Sequence, residues 1–279
     1  MIIDFHAHTF PDHIAAAAVD KLKHNANVTP YSDGTAAGLA RKARAAGVDY
    51  TVVANVATNP AKVSSMNDRF IRANGQDGLL YFGCMHPDMP DMRAELARIA
   101  AAGIKGIKLH HIYQGVDVDD PRSLRVLDRA AELGLIVLMH GGLDIGFPGM
   151  VRSSPEMTAN ALRQVGAVKL VCAHMGGWRS WDAVADSLGP TGAMIDTSFS
   201  LGDMVPYDPA RMPGADTHML GDAQFLSLVR AFGADRVLFG TDSPWGDQQE
   251  NLDRLRALPL EDDEKQAILG GNAGRLLGL

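Results

Sequence analysis

The sequence of 279 residues predicts an α/β protein and, within that class, a (β/α)8 TIM barrel formed by a single domain over residues 1–279. Short apolar segments rich in β-forming residues alternate with amphipathic helical segments along the whole chain. Eight such repeats over about 250 residues match the usual size of this barrel. No Gly-x-Gly-x-x-Gly loop follows any predicted strand, which disfavours a dinucleotide-binding sheet.

The elements follow from periodicity and from glycine punctuation. Eight strands are predicted, at Ile2–Phe5, Tyr50–Asn55, Leu80–Cys84, Ile104–Leu109, Leu135–Met139, Val168–Ala173, Ala193–Asp196 and Val237–Gly240. The best-defined helices are Thr35–Ala46, Met92–Ala102 and Arg122–Leu133, which are followed by Gly47, Gly103 and Gly134. A glycine just beyond a helix adopts the left-handed backbone conformation without steric cost, so these three segments have the helix–glycine–strand order of a β/α repeat.

Composition narrows the class of function. The chain has 26 Lys and Arg against 33 Asp and Glu, a net charge of −7, and no run of basic residues. This balance argues against a nucleic-acid or anionic-membrane partner and favours a small-molecule substrate. The longest apolar run, Leu135–Met139, is far too short to cross a membrane, and no signal peptide is visible. With only two cysteines, Cys84 and Cys172, we expect a cytoplasmic protein.

Two histidines end the first predicted strand. The segment Asp4-Phe5-His6-Ala7-His8 places His6 and His8 on one face, because side chains alternate along a strand. In a barrel, the carboxyl ends of the strands carry the chemistry. Two imidazoles there are able to chelate a metal ion, whereas a lone His-x-His pair is more often structural.

Two further strands each run into one histidine followed by a pair of glycines. His140 precedes Gly141-Gly142, and His174 precedes Met175 and then Gly176-Gly177. Glycines at these points let the backbone leave the strand sharply and leave room for a ligand. One such histidine is commonly structural, but two in consecutive strands, together with the first-strand pair, indicate a site.

The last strand runs into Asp242, which by itself reads as a turn or helix-capping aspartate. In combination with the histidines it completes a set of imidazole and carboxylate donors. Such a set suits a borderline-soft divalent ion, Zn²⁺ first and Mn²⁺ as the alternative.

The order of these motifs resembles the amidohydrolase superfamily over essentially the whole chain. Phe-Gly-Thr-Asp-Ser-Pro-Trp at 239–245, Ala-His-Met-Gly-Gly at 173–177 and Asn-Ala-Gly-Arg-Leu at 272–276 are similar to its amidohydrolase-related branch. That branch also contains aminocarboxymuconate-semialdehyde decarboxylase, so the resemblance fixes neither substrate nor reaction type.

The resemblance also implies roles for single residues. The implied ligands of one metal ion are His6, His8, His140 and Asp242. His174 is implied to act near the bound water or the substrate, and Asp242 is a candidate to accept the proton of that water.

The fourth strand adds two candidate substrate-binding residues, Lys108 and His110, on the face expected to point into the barrel. Binuclear members of the superfamily bridge two metal ions with a carboxylated lysine on this strand. A second ion is therefore expected only if Lys108 is carboxylated, and the alternative is a cation that pairs with an acidic group or a substrate carboxylate.

The loops supply candidate cations and a candidate lid. Arg152 and Arg179 offer planar forks for a substrate carboxylate, with helix docking or a subunit contact as the alternative use of each. Residues 197–221 form a long irregular segment with several prolines, including Pro213, which suggests a lid or a homo-oligomer contact.

These observations predict a metal-dependent hydrolase that acts on a small ester, lactone, amide or related carbonyl compound. The alternative is a metal-dependent, non-oxidative decarboxylase of a small carboxylic acid, which requires a cation to hold the substrate carboxylate. A metal-binding protein without catalysis is a third class.

Overall fold

The structure, a computed structural model, describes residues 1–211 and 217–279, so Pro213 lies outside the described residues. The chain divides into two compact units. Unit 1 comprises Met1–Val53, Asp77–Leu79 and Asp196–Leu279, and unit 2 comprises Ala54–Gln76 and Leu80–Ile195.

The strands occur close to where the hydrophobic pattern predicts them. They are β1 (Ile3–Ala7), β2 (Tyr50–Val53), β3 (Leu79–Tyr81), β4 (Gly83–Cys84), β5 (Gly106–Leu109), β6 (Ile136–Met139), β7 (Lys169–Cys172), β8 (Met194–Asp196) and β9 (Val237–Leu238). Several strands are shorter than predicted, and the predicted third strand is divided into β3 and β4. Asparagine side chains bind its backbone there: Asn74 Oδ1 accepts from the Tyr81 N–H at 2.8 Å and Asn67 Oδ1 from the Cys84 N–H at 2.8 Å.

The helices alternate with these strands. They are α1 (Asp12–Ala26), α2 (Ala36–Ala45), α3 (Val63–Ala73), α4 (Met92–Ala101), α5 (His111–Gln114), α6 (Pro121–Glu132), α7 (Pro155–Gln164), α8 (Val184–Leu188), α9 (Asp222–Phe232), α10 (Gln248–Ala257), α11 (Asp262–Gln266) and α12 (Asn272–Leu277). The glycine signals are confirmed, since Gly47, Gly103 and Gly134 have φ of +75°, +84° and +67°. No helix of the described residues is long and apolar enough to pass through a membrane.

In unit 1, backbone hydrogen bonds join β1 to the segment that follows β9. Strand β1 pairs in parallel with β2, with Ile3 opposite Tyr50. On its other side, the Phe5 N–H donates to Phe239 O at 2.8 Å, next to β9. The Asp242 N–H then donates to His6 O at 2.7 Å, so the residue that follows β9 lies against the carboxyl end of β1.

In unit 2 the strands β4 to β8 pair in parallel and in chain order. Leu109 lies opposite Met139, and Met139 lies opposite Cys172, so β5, β6 and β7 end in register. The residues that follow these ends, His110, His140 and His174, therefore emerge along one edge of the sheet.

The described part of the 197–221 segment is attached to the end of α1. Asn27, which has a φ of +53°, accepts from the Asp208 N–H through Oδ1 at 2.8 Å and donates through Nδ2 to Asp208 O at 3.1 Å. The Thr29 N–H donates to Val205 O at 2.9 Å. These contacts anchor the part of the segment around residues 205–208, and its use as a lid or an oligomer contact stays a prediction.

Candidate functional site

In unit 1, three of the predicted metal ligands converge at the ends of β1 and β9. One carboxylate oxygen of Asp242, Oδ1, lies 3.0 Å from His8 Nε2 and 3.4 Å from His6 Nε2. The two imidazole rings are nearly perpendicular, with centroids 5.0 Å apart. His6 is fully buried and Asp242 nearly so, whereas His8 is half-buried. The alternation that places both histidines on one face of β1 thus brings their ring nitrogens to one carboxylate.

Asp4 links the two segments that carry these ligands through hydrogen bonds, a role that the sequence analysis did not identify. Its Oδ1 accepts from the backbone N–H groups of Thr241 and His6 at 3.0 and 3.2 Å, and its Oδ2 accepts from the Thr241 hydroxyl at 2.6 Å. Burial raises the pKa of Asp4 to about 7, against the opposing effect of these hydrogen bonds. Its position two residues before His6, on the same strand face, was the available sequence signal.

The backbone of Asp242 adopts a left-handed turn conformation at this site. Its φ is +63°, in the left-handed region that aspartate tolerates better than most residues. The turn continues until the Trp245 N–H donates to Asp242 O at 2.9 Å. The position of Asp242 in a turn is therefore compatible with its predicted role as a metal ligand.

Two further residues that the sequence analysis did not identify, Asp196 and Ser198, lie on the side of His6 that faces away from Asp242. Asp196 Oδ2 is 3.0 Å and Ser198 Oγ 2.9 Å from His6 Nδ1, and both residues are fully buried. The available signal was an acidic residue at the end of the apolar strand β8. These two side chains contact the ring nitrogen that faces away from Asp242.

The donor set of His6, His8 and Asp242 fits a divalent cation. Their ligating atoms all lie within 4.8 Å of one another. Two imidazole nitrogens and one carboxylate oxygen, with further positions open, are typical ligands of Zn²⁺ and are also accepted by Mn²⁺.

In unit 2, His140 and His174 form a hydrogen-bonded pair at the ends of β6 and β7. His140 Nδ1 lies 3.0 Å from His174 Nε2, and His140 Nε2 lies 2.8 Å from Leu143 O. Because a carbonyl oxygen only accepts, His140 carries its proton on Nε2, and Nδ1 is left as the lone-pair nitrogen. Burial above all, and then the neighbouring His110 and His174, hold the pKa of His140 well below its usual value.

His110 extends this cluster. Its ring stacks on His140 at a centroid distance of 4.1 Å and an angle of 14°, and its Nε2 lies 3.2 Å from Asp144 Oδ2. Tyr113 packs edge-on against His110 at 4.4 Å, and Phe147 packs against Tyr113 at 5.0 Å. The cluster therefore combines titratable groups with an aromatic wall, and the donor atoms of His110, His140 and Asp144 also lie within 4.8 Å of one another.

The glycine pairs serve a different purpose from the one that the sequence suggested. A Cβ on Gly141 would lie 2.8 Å from Gly176 O, and one on Gly142 would lie 2.4 Å from Trp178 O. The Trp178 N–H donates to Gly141 O at 2.8 Å. The expectation of room for a ligand is wrong at these two positions, because the backbone of the neighbouring loop occupies that space.

The predicted substrate-binding cations lie in different environments. Lys108 is buried on β5, and its charge contributes to the low pKa of His140. The Arg152 guanidinium forms an ion pair with Asp117 at 2.7 Å. The Arg179 guanidinium lies 5.2 Å from the Trp178 ring centroid.

Family membership follows from comparison with known proteins. The family model described as Amidohydrolase matches residues 3–279, and the chain belongs to this family. The resemblance inferred from the strand-end motifs is thereby confirmed. None of the curated proteins matches the sequence.

Solved structures share the fold at low sequence identity. The uncharacterised TIM-barrel protein Bb4693 from Bordetella bronchiseptica is 20% identical with a TM-score of 0.76, over 99% of this chain and 98% of that chain. A candidate 2-pyrone-4,6-dicarboxylic acid hydrolase from Pseudomonas putida is 20% identical with a TM-score of 0.68, over 99% and 97%. The 5-carboxyvanillate decarboxylase LigW2 from Novosphingobium aromaticivorans, with bound manganese, is 13% identical with a TM-score of 0.71, over 100% and 97%. These likenesses confirm the (β/α)8 TIM-barrel fold.

Proposed function

We propose that this chain is a metal-dependent hydrolase that acts on a small ester, lactone, amide or related carbonyl substrate. The observation that carries the proposal is the single Asp242 oxygen within 3.0 and 3.4 Å of the Nε2 atoms of His8 and His6. Two imidazoles and a carboxylate at strand ends of an amidohydrolase-family barrel are the groups that such a reaction requires.

The metal would be held by His6, His8 and Asp242, with His140 as a fourth ligand on the strength of the family motif. A divalent ion bound there, Zn²⁺ or Mn²⁺, supplies Lewis acidity. The Leu143 carbonyl leaves a lone pair on His140 Nδ1, which contacts His174 Nε2 at 3.0 Å and would turn to the ion when one is bound. A second ion belongs to this proposal only if Lys108 is carboxylated.

The acid–base roles fall to Asp242 and His174. The Asp242 carboxylate accepts a proton as the water oxygen bonds to the carbonyl carbon, and His174 stabilises the oxygen that becomes negative. When the acyl C–O or C–N bond then breaks, Asp242 returns that proton to the leaving alcohol or amine. His174 has a φ of +60°, and its carbonyl accepts from the Trp181 indole N–H at 2.9 Å, so its position is fixed by the loop that follows β7. In this proposal His110, beside Tyr113, contacts the substrate.

Decarboxylation of a small carboxylic acid is the second candidate. The name of the manganese-bound neighbour, a 5-carboxyvanillate decarboxylase, favours it. A decarboxylase needs a cation for the substrate carboxylate, and two candidates already have contacts: Arg152 pairs with Asp117, and Arg179 lies over Trp178. The ion pair of Arg152 with Asp117 supports hydrolysis as the first proposal, and Lys108 and Arg179 are the cations that decarboxylation would use.

Isotope incorporation separates the two reactions. The metal-loaded protein is incubated in ¹⁸O-labelled water with panels of esters, lactones, amides and aromatic carboxylates, with chelator-treated protein as the control. Metal-dependent appearance of ¹⁸O in an acid product is the expected result. Metal-dependent release of carbon dioxide, without label in the remaining product, would establish the decarboxylase instead.

We place this activity in the cytoplasm, with a small molecule as substrate. Cys84 and Cys172 are both buried and form no disulfide, which agrees with a reducing compartment.

A further inference from the structure

Each of the two ring nitrogens of His6 faces a carboxylate. Nε2 points toward Asp242 Oδ1 at 3.4 Å, and Nδ1 points toward Asp196 Oδ2 at 3.0 Å. Both neighbours are carboxylates, while a neutral imidazole carries only one N–H. A histidine that binds a metal ion has to be neutral, so in that form one of the two nitrogens presents a lone pair to a carboxylate, and the surrounding hydrogen bonds decide which one.

Ser198 favours a proton on Nδ1. Its backbone N–H donates to Asp196 Oδ1 at 3.1 Å, and its hydroxyl donates to the same oxygen. With that hydroxyl proton directed at Asp196, the Ser198 oxygen presents a lone pair to His6 Nδ1 at 2.9 Å. The Nδ1 position thus faces two acceptors on a fully buried side, where an unmade hydrogen bond is costly.

We infer that Asp196 and Ser198 are positioning residues that hold His6 in the Nδ1–H form, so that its Nε2 lone pair is available to a divalent cation. The inference rests on the proposed metal-dependent function. A lone pair on Nε2 facing the Asp242 carboxylate places two electron-rich atoms 3.4 Å apart, and a cation between them relieves that repulsion. A carboxylate that orients a ligating histidine typically changes metal affinity by about 10–100-fold.

The substitution Asp196→Asn is expected to reverse the tautomer of His6. In Asp196→Asn the side-chain amide must keep its oxygen toward the Ser198 backbone N–H, because a backbone donor cannot reverse. The amide NH₂ group then faces His6 Nδ1, which has to accept. The proton of the neutral ring then lies on Nε2, which no longer has a lone pair for the metal ion.

The first measurement needs neither metal nor activity. Ring ¹⁵N NMR of the metal-free wild-type protein, recorded at a pH where the His6 ring is neutral and with the His6 signals assigned by their loss in His6→Gln, should show a proton on Nδ1 and none on Nε2. The Asp196→Asn variant should show a protonated Nε2. A wild-type His6 that carries its proton on Nε2 overturns the inference.

The second measurement is the dissociation constant for Zn²⁺ and for Mn²⁺, by competition with a chromophoric chelator. Asp196→Asn should weaken binding by about 10–100-fold. The matched control is Asp203→Asn, because Asp203 contacts His218 Nδ1 at the same 3.0 Å but on the exposed surface of unit 1. The control should bind like the wild-type protein, and equal affinity of the Asp196 variant and the control would overturn the inference.

Two further outcomes are informative. If Asp196→Asn does not fold, Ser198→Ala keeps the carboxylate and should weaken binding by about 2–10-fold, the equivalent of one neutral hydrogen bond, whereas unchanged affinity counts against the inference. Weakened metal binding in the variants, with no hydrolysis by the wild-type protein, would remove the proposed function and leave the role of Asp196 intact.

Discussion

Imidazole has two distinct nitrogens, and this chain gives each nitrogen of His6 and of His140 a separate neighbour. His6 faces Asp242 with Nε2 and Asp196 with Nδ1, while His140 faces Leu143 O with Nε2. At the scale of single residues, the chemistry therefore depends on the groups behind each ring as much as on the ring itself. Those supporting groups lie on other strands and loops.

Loss of both β1 histidines is expected to abolish metal binding. In the His6→Ala, His8→Ala double variant, Asp242 loses both imidazoles that approach its Oδ1. Metal content per chain, measured by elemental analysis after dialysis, should fall to background. The matched control is His13→Ala, His24→Ala on the surface of α1, and unchanged metal content in the β1 variant would show that the ion is bound elsewhere.

His174 is expected to affect turnover more than metal content. Its Nε2 contacts His140 Nδ1 at 3.0 Å, and the proposed ligands remain in His174→Ala. We expect kcat to fall by about 10²–10⁴-fold, the usual contribution of a general acid–base group, while most of the metal is retained. His13→Ala, at an exposed histidine of α1, is the control. Parallel loss of metal and activity would instead identify His174 as a ligand.

At the scale of elements, the loops after β6 and β7 are joined through backbone contacts. The Trp178 N–H donates to Gly141 O at 2.8 Å, and the Leu143 N–H donates to Trp178 O at 3.0 Å. This pairing places the Leu143 carbonyl beside His140. The glycines are needed because a Cβ would collide with the facing backbone.

Gly142→Ala is expected to destabilise the protein strongly. A Cβ there would lie 2.4 Å from Trp178 O, and the φ of Gly142 is +82°. Gly149→Ala is the matched control, because its φ is +78° but nothing lies within 4 Å of its Cβ position. The overpacking should cost about 1–3 kcal/mol beyond the control in urea unfolding. Equal unfolding free energies would mean that the two loops separate at little cost.

At the scale of the whole molecule, the family match covers residues 3–279, and the chain shares the TIM-barrel fold, in which strands and helices alternate. Stability of such a molecule depends on buried groups away from the proposed metal ligands as well. His111, at the start of α5, is fully buried, and neither of its ring nitrogens has a hydrogen-bond partner among the described residues. Burial lowers its pKa to about 4.

The free energy of unfolding should therefore fall at acid pH through His111. The unfolded chain binds the proton near the ordinary histidine pKa, and the folded chain binds it only near pH 4, so the stabilisation is complete above the unfolded pKa and is lost as pH falls through this window. The loss is on the order of 3 kcal/mol at most. Urea unfolding of the metal-free protein between these pH values should show a shallower decline in His111→Leu than in the wild-type protein. His13→Leu, at an exposed histidine, should follow the wild-type curve, and an equally steep decline in His111→Leu would contradict the prediction.

The sequence by itself determined the order of strands and helices, the glycines that end helices, and the residues at the strand ends. These features repeat over a few residues, because side chains alternate along strands and apolar residues recur along helices. The same local pattern placed His6 and His8 on one face and Asp242 beyond the last strand.

Only the tertiary structure decided what supports those residues. Asp196 is 190 residues from His6 in the chain, and Thr241 is 237 residues from Asp4, so no local pattern relates them. The proton of an imidazole goes to whichever nitrogen finds an acceptor, and acceptors are brought close by packing rather than by sequence neighbours. Packing also brings the backbone of Trp178 against Gly142, where the local sequence pattern had suggested room for a ligand.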